Sequence, residues 1–367
     1  MRKWLIVPGS ITVSALLVVA GAASAATAGA PAQAPALTWS VVHSPNRELA
    51  RAAVGNSFDA VSCASTSACT AVGSYLNGLG AQRTLAESWD GTRWALLRSP
   101  NRGRTGTGNA LFGVSCAAPR ACMAVGASRL ASGGASALPS WGASRLSIDS
   151  LQTLAELWNG TRWSVLPSPN RGTTGDNFDS VSCVSADACV AVGAFGSGST
   201  GGGTLAESWD GARWSLLPSP NPIGAGDAFR GVSCASADAC MAVGLAGPSD
   251  NGPFSTLAEF WNGSRWSVVP SPNGPGFTWL WGVSCAATDA CSAAGLYFAK
   301  AGPPRTLIES WDGTRWSMVP APSPGVENRV LNGVSCASAT TCTAAGDFYS
   351  RAQAQFRTLI ETGTASG

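Results

Sequence analysis

The sequence predicts an all-β fold: a six-bladed β-propeller of four-stranded antiparallel blades, with the last blade closed by the N-terminal strand. Three observations lead there. A pair of cysteines with five residues between them recurs six times, at 63/69, 116/122, 183/189, 234/240, 285/291 and 336/342. A Thr-Leu-(Ala/Ile)-Glu segment follows each pair, with its glutamate at 87, 156, 207, 259, 309 and 361. Third, the repeat is out of phase with the ends. Thr38-Trp39-Ser-Val-Val opens the series with a final strand, and Thr358-Leu-Ile-Glu-Thr362 stops before one. Joining the ends gives six whole units. That suits a ring, whereas an open solenoid would carry atypical caps. Closure also removes sheet edges that would otherwise template aggregation.

In chain order, Arg2 and Lys3 precede an apolar stretch from Leu5 to about Ala20 and the small-residue run Ala23-Ser24-Ala25. This order reads as a secretory signal over residues 1–25, cut after Ala25. Pro8, Gly9 and Ser10 interrupt the apolar stretch, which is short for a membrane span, and no later run is long enough to cross a bilayer. An Ala/Pro linker follows over residues 26–36. Residues 37–367 then form one domain. Its blades are expected at about 58–97, 111–167, 178–218, 229–270, 280–320, and 331–362 joined by 37–45. The expected location is extracellular and the expected state a monomer.

Charge narrows the partners. Without Arg2 and Lys3, 21 basic residues face 21 acidic ones. A neutral chain with no basic run lacks the electrostatic footprint of nucleic-acid binding and of an anionic membrane surface. Glycan or extracellular protein remains as the partner class.

Each unit holds four strand signals, bounded by Gly, Pro, Asn and Asp. They are the Phe/Leu-x-small-Val-Ser-Cys run, the run from the second cysteine, Leu-Ala-Glu-x-Trp, and Arg-Trp-x-Leu/Val-Leu/Val. The dipeptides Asp90-Gly91, Asn159-Gly160, Asp210-Gly211, Asn262-Gly263 and Asp312-Gly313 read as two-residue type I′ hairpin turns. On that register Glu87 lies opposite Trp94, on the face of Leu85 and Trp89.

Twelve cysteines in six local pairs on an exported chain read as disulfides: Cys63–Cys69, Cys116–Cys122, Cys183–Cys189, Cys234–Cys240, Cys285–Cys291 and Cys336–Cys342. A metal reading fails, because the chain has a single histidine and each pair sits on a different blade. No cofactor is expected. The repeated glutamate invites a catalytic role. Six copies at one blade position instead mark a scaffold device, a buried carboxyl that must find hydrogen bonds. The two repeated tryptophans read as inter-blade packing.

The Ser-Trp-Asp-Gly-Thr-Arg-Trp segment of residues 88–94 resembles the Asp-box of sialidase-like propellers, a Ser-x-Asp-x-Gly-x-x-Trp pattern on the turn between the third and fourth strands. Here the residue between Asp and Gly is missing. The resemblance covers one short stretch in each of five blades and implies a propeller; the box is structural in that family as well. The recurrent polar network resembles that of WD and kelch propellers, and the chain as a whole resembles exported bacterial repeat propellers.

Function is sought where the repeat varies. From the glycine after each second cysteine to the next Thr-Leu the spacing is 11, 27, 11, 12, 11 and 12. The long loop, about 127–152, carries Trp141. Variable loops on a rigid scaffold are the usual seat of specificity. Four residues before each first cysteine stand Asp59, Phe112, Asp179, Arg230, Trp281 and Asn332, one variable position in a fixed frame. On the strand nearest the channel, they read as a ligand-contacting ring. Trp279 and Trp141 lie outside the repeat and are candidates for stacking on a sugar or contacting a partner. The expected function is therefore a non-catalytic extracellular binding propeller, its glycan or protein ligand held on the variable-loop face and channel mouth. The alternative is a glycosidase-like hydrolase, with Asp59 and Asp179 as acid and base and Arg230 holding an anionic group. Against it, His43 sits at a loop position, and no Gly-x-Ser-x-Gly, His-Glu-x-x-His or phosphate-loop pattern occurs.

Overall fold

The computed structural model describes residues 42–45, 55–78, 80–103, 107–129, 151–197, 201–249, 252–298, 302–321, 327–350 and 355–364. All strands belong to the unit His43–Gly367; of the unit Met1–Val42, only Val42 is described. The chain is a six-bladed propeller of antiparallel sheets. Five blades have four strands, and the sixth has three among the described residues. Blade one shows the common plan, with strands Asn56–Ser65, Ala68–Leu76, Gln82–Trp89 and Trp94–Leu97 adjacent in chain order. Blade six comprises Glu327–Ser338, Thr341–Ser350 and Gln355–Thr364. Of residues 37–45, expected to complete it, 37–41 lie outside the described residues, and 42–45 are described and form no strand. No helix among the described residues is long and apolar enough to cross a membrane.

Six disulfides form at the expected pairs. Each joins residues directly opposite in register, as Cys63 faces Cys69 across the hairpin of the first two strands. Loops this short contribute about 2 kcal/mol each by constraining the unfolded chain. Such a set of bridges marks an oxidising, extracellular-type environment.

The turn between strands three and four differs from expectation. Trp89 pairs with Trp94 and Glu87 with Leu96, so the loop is the four residues 90–93 rather than two. Gly91 has a positive φ of 94°, but Asp90 does not, which excludes a type I′ turn. The Asp90 carboxylate explains the longer loop: its Oδ1 accepts from the amides of Thr92 (2.8 Å) and Arg93 (2.9 Å). Asn159, Asp210, Asn262 and Asp312 do the same in blades two to five. The side-chain cap thus replaces the tight turn, and Glu87 does not face Trp94.

The core lies between blades rather than within them. Trp163 is 4% exposed and packs with Val72 and Ala86 of blade one and with Leu111, Val114, Cys122 and Ala124 of its own blade. Trp214, Trp266 and Trp316 repeat this arrangement. The two tryptophans of each complete blade pack side by side, with centroids 5.7–5.8 Å apart.

Two hydrogen bonds set one blade on the next, and each accounts for a motif. The serine of Val-Ser-Cys accepts from the first cysteine's amide in the following blade. Ser62 takes Cys116 N–H (2.9 Å), and Ser115, Ser182, Ser233 and Ser284 follow suit. The serine of Ser-Pro-Asn donates to the buried glutamate of the following blade: Ser44 to Glu87 (3.0 Å), Ser99 to Glu156 (2.8 Å), Ser219 to Glu259 (2.9 Å) and Ser271 to Glu309 (2.7 Å). The asparagine of that motif caps a threonine amide in its own blade, as Asn101 does for Thr84 (3.0 Å). Two glutamates are exceptions. Glu207 has no partner, Ser168 pairing with Thr153 instead. Glu361 has none because Ala321 stands at the serine position. At the junction of blades six and one, no bond joins Ser335 to Cys63 among the described residues. Phe58 (42%), Val61 (61%) and Ile360 (54%) are exposed there.

Burial governs the glutamates' protonation. Desolvation pushes Glu156 up to about 8, Glu207 to about 9, Glu259 to about 8 and Glu309 to about 7; Asp176 adds to the rise at Glu207 and Asp227 at Glu259, while the serine bonds oppose it. A carboxyl with a raised folded-state pKa holds its proton longer in the folded chain than in the unfolded one. Its contribution is full below the ordinary carboxylate range and is lost as pH rises through the folded value. Thermal melts are therefore expected to fall steadily from pH 5 to pH 9. Replacing Glu156 and Glu259 together by Gln should flatten that fall while leaving the melting temperature at pH 7 near that of the parent.

Candidate functional site

The variable position of the first strand has a common geometry. In each blade the register skips one residue there. Phe58 pairs with Gly73 and Ala60 with Val72, leaving Asp59 unpaired. Phe112, Asp179, Arg230, Trp281 and Asn332 are skipped in the same way. All six are β-bulge residues. A bulge carries one residue out of the pleat and re-aims its side chain, which frees that position from inter-blade packing. The glycine opposite makes the bulge feasible: a Cβ on Gly73 would lie 2.0 Å from Ser57 O, and Gly126, Gly193, Gly244, Gly295 and Gly346 are equally confined. The Ala-Val-Gly signature is thus the counterpart of the bulge.

The structure joins three of the six candidates. Arg230 Nη1 donates to Asp179 Oδ2 at 2.9 Å, and Asn177 Nδ2 donates to Asp179 Oδ1 at 2.8 Å. The Arg230 guanidinium lies 5.5 Å from the Trp281 ring centroid. Blades three, four and five therefore present a continuous Asp179–Arg230–Trp281 line. Asp179 is buried and ion-paired. The other three stand apart. Asp59 is half-buried, and desolvation lifts its carboxyl to about 6. Phe112 is buried against Ala110, Ala127 and Leu151. Asn332 is exposed and donates to Asp347 Oδ2 (3.1 Å). Trp141 lies outside the described residues. Among the described residues, no group of three His, Cys, Asp or Glu side chains is placed to hold a metal.

Trp279 has a packing role that the repeat does not disclose. Its ring meets Trp281 (6.0 Å), Phe254 (5.9 Å) and Phe298 (5.7 Å), all edge-on. Phe298 in turn meets Phe277 (6.4 Å), which is 45% exposed. Sequence reasoning missed Phe254, Phe277 and Phe298. They lie at strand ends and in connections where the repeat imposes no pattern. Their signal was aromatic residues in segments otherwise rich in Gly, Pro and Ser, around residues 252–254 and 274–281.

No protein-family model and no curated protein matches the chain. Among solved structures it is similar to one described as "YCF48 bound to D1 peptide", with 12% identity, TM-score 0.45, and 79% of this chain and 74% of that one covered. It is also similar to a protein of unknown function from Dyadobacter fermentans (9% identity, TM-score 0.49, 84% and 95% covered). A third is a lectin from Aleuria aurantia in complex with Fucalpha1-6GlcNAc (9% identity, TM-score 0.43, 79% and 87% covered). The peptide and the disaccharide are ligands of those proteins.

The ion pair predicts its own mutational signature. Asp179→Ala leaves a largely buried guanidinium unpaired and should cost about 3 kcal/mol in denaturant unfolding. The double variant Asp179→Ala, Arg230→Ala should lose clearly less than the sum of the two single changes.

Proposed function

We propose that the protein is a non-catalytic extracellular binding propeller. Its ligand, a glycan or a protein segment, rests on the channel mouth and the variable-loop face of blades three to five. The observation that carries this reading is the line of side chains from Asp179 through Arg230 and Trp281 to Trp279, Phe298 and Phe277. It couples a hydrogen-bonding, charged end to an aromatic end that reaches the surface. Flat apolar rings beside polar groups suit a ligand with an apolar face and a polar rim. The remainder of the repeat is committed to holding the blades, which leaves the bulges and variable connections for recognition. The signal over residues 1–25 and the six bridges support an exported location.

The hydrolase reading has less support. Glycoside hydrolysis needs two carboxyls across one bond at about 5–10 Å. Asp179 is already committed to Arg230 and Asn177, and the first strand of blade two packs between those of blades one and three.

The test is a glycan-array and pull-down screen with the secreted chain beside its Trp279→Ala, Trp281→Ala variant. The parent should retain a defined ligand set that the variant loses at least tenfold, with both oxidised and folded by circular dichroism. Equal retention by the two proteins removes the proposed site. Turnover of a glycoside by the parent removes the non-catalytic reading.

A further inference from the structure

The loops between third and fourth strands hold two asparagines in a setting that the cap alone does not require. Asp90, Asp210 and Asp312 cap this loop with a carboxylate oxygen. Blades two and four use the amides Asn159 and Asn262 instead, each followed by glycine. Three donors converge on each amide oxygen. Asn159 Oδ1 accepts from Thr161 N–H (3.0 Å), Thr161 Oγ1 (2.7 Å) and Arg162 N–H (3.0 Å). Asn262 Oδ1 accepts from Ser264 N–H (3.0 Å), Ser264 Oγ (2.8 Å) and Arg265 N–H (3.0 Å). Both asparagines are exposed. Their Nδ2 groups and the backbone amides of Gly160 and Gly263 make no hydrogen bond among the described residues. The two glycines share a positive φ, 89° and 86°. They differ in the charge set against them. Arg120 folds over Gly160, with its Nε close to where a Cβ would stand, whereas the Asp238 carboxylate faces Gly263, 2.7 Å from such a Cβ. Arg120 and Asp238 are themselves exposed.

We propose that Asn159 is a site of self-catalysed deamidation, converted to aspartate in the folded protein with water as the only co-reactant, and that Asn262 is its slow counterpart. The three hydrogen bonds polarise the Cγ carbonyl and hold the negative charge that develops on Oδ1 as Cγ is attacked, as the donors of an oxyanion hole do. The attacking group is the Gly160 nitrogen. Its proton is lost as the N–Cγ bond forms, the Cγ–Nδ2 bond breaks, and ammonia leaves carrying that proton. The five-membered imide then takes up water at Cγ. The N–Cγ bond breaks, a proton returns to the Gly160 nitrogen, and residue 159 keeps a carboxyl. Arg120 favours the first step, because a cation stabilises both the deprotonated amide and the oxyanion; the Asp238 carboxylate opposes both at Gly263. The product suits the fold. Aspartate makes the same cap in three other blades, where the arginine three residues on lies 3.6–3.7 Å from its second oxygen. Arg162 occupies that place after Asn159. Opening the imide at its main-chain carbonyl would add a methylene to the loop and take the carboxylate off the cap, so aspartate accumulates rather than isoaspartate. The pair Asn273-Gly274 lacks this arrangement, since Gly274 N–H is tied to Thr278 Oγ1 (3.1 Å).

The experiment holds the full secreted, oxidised chain at mildly alkaline pH and maps its peptides over time by chromatography and mass spectrometry, which read amide-to-acid exchange at each asparagine and separate aspartate from isoaspartate. Asn159 should convert roughly tenfold faster than Asn262, with aspartate the main product, while Asn273 stays an amide. Arg120→Asp should slow Asn159 to about the rate of Asn262, and Asp238→Arg should speed Asn262. Both changes fall on exposed side chains, and circular dichroism checks that the variants keep the parent fold. Thr161→Val, which removes one donor to Oδ1, should slow Asn159 severalfold and leave Asn262 unchanged. The proposal is overturned if Asn159 stays an amide or carries a glycan, if it reacts no faster than Asn262, if the charge exchanges leave both rates unchanged, or if isoaspartate is the main product.

Discussion

Blades two to five are each anchored to the preceding blade by one indole buried between two sheets. Trp163, Trp214, Trp266 and Trp316 each pack among apolar side chains of the preceding blade and of their own, always including a cysteine of the local disulfide and a valine of the Val-Ser-Cys run. Almost everything else in the repeat serves that contact. The disulfide holds the hairpin that supplies a cysteine to the tryptophan's pocket, and the aspartate or asparagine cap shapes the loop from which the tryptophan emerges. Two flanking serines, one in the Val-Ser-Cys run and, in four junctions, one in Ser-Pro-Asn, set the next blade against them. The buried glutamate belongs to this set. Desolvation raises its carboxyl above the ordinary carboxylate range, so the contribution of these glutamates is larger on the acid side of neutrality.

One residue per blade stands outside this pairing. The glycine after each second cysteine lets the first strand bulge, and the bulged residue leaves the strand register that constrains its neighbours. One structural device therefore accounts for both the constancy of Phe/Leu and Gly/Ala/Ser around the position and the variety of Asp59, Phe112, Asp179, Arg230, Trp281 and Asn332 at it. The six do not behave as an even ring. The ion pair and the stacked guanidinium tie blades three to five into one surface, while Phe112 turns into its own blade. These contacts gather on one sector, where Phe277 continues the aromatic line to the surface.

The blade number, the strand order within blades, the six bridges and the scaffold role of the glutamate were all legible in the sequence, because each repeats and each has a single physical explanation. The variable position was legible as a pattern, but its bulge was not: pairing register depends on where a strand skips, and only the opposing glycine hints at it. The Asp-Gly turns were misread because dipeptide preference points to a two-residue turn, while the carboxylate's capping of two later amides favours a four-residue loop. That error also displaced Glu87 from Leu96 to Trp94. The aromatic set around Trp279 was illegible for the opposite reason. Its members come from three non-repeating segments, and nothing in their spacing brings them together.

The central claim is a division of labour between an inter-blade frame and bulge positions released from it. It is tested most directly by scanning all substitutions at both kinds of site and reading the yield of oxidised, protease-resistant chain. The account predicts steep losses at Gly126, Trp163, Trp214 and Gly244, and near-parental yield for most polar or aromatic replacements at Asp59, Trp281 and Asn332. Bulge positions as intolerant as the tryptophans would contradict it.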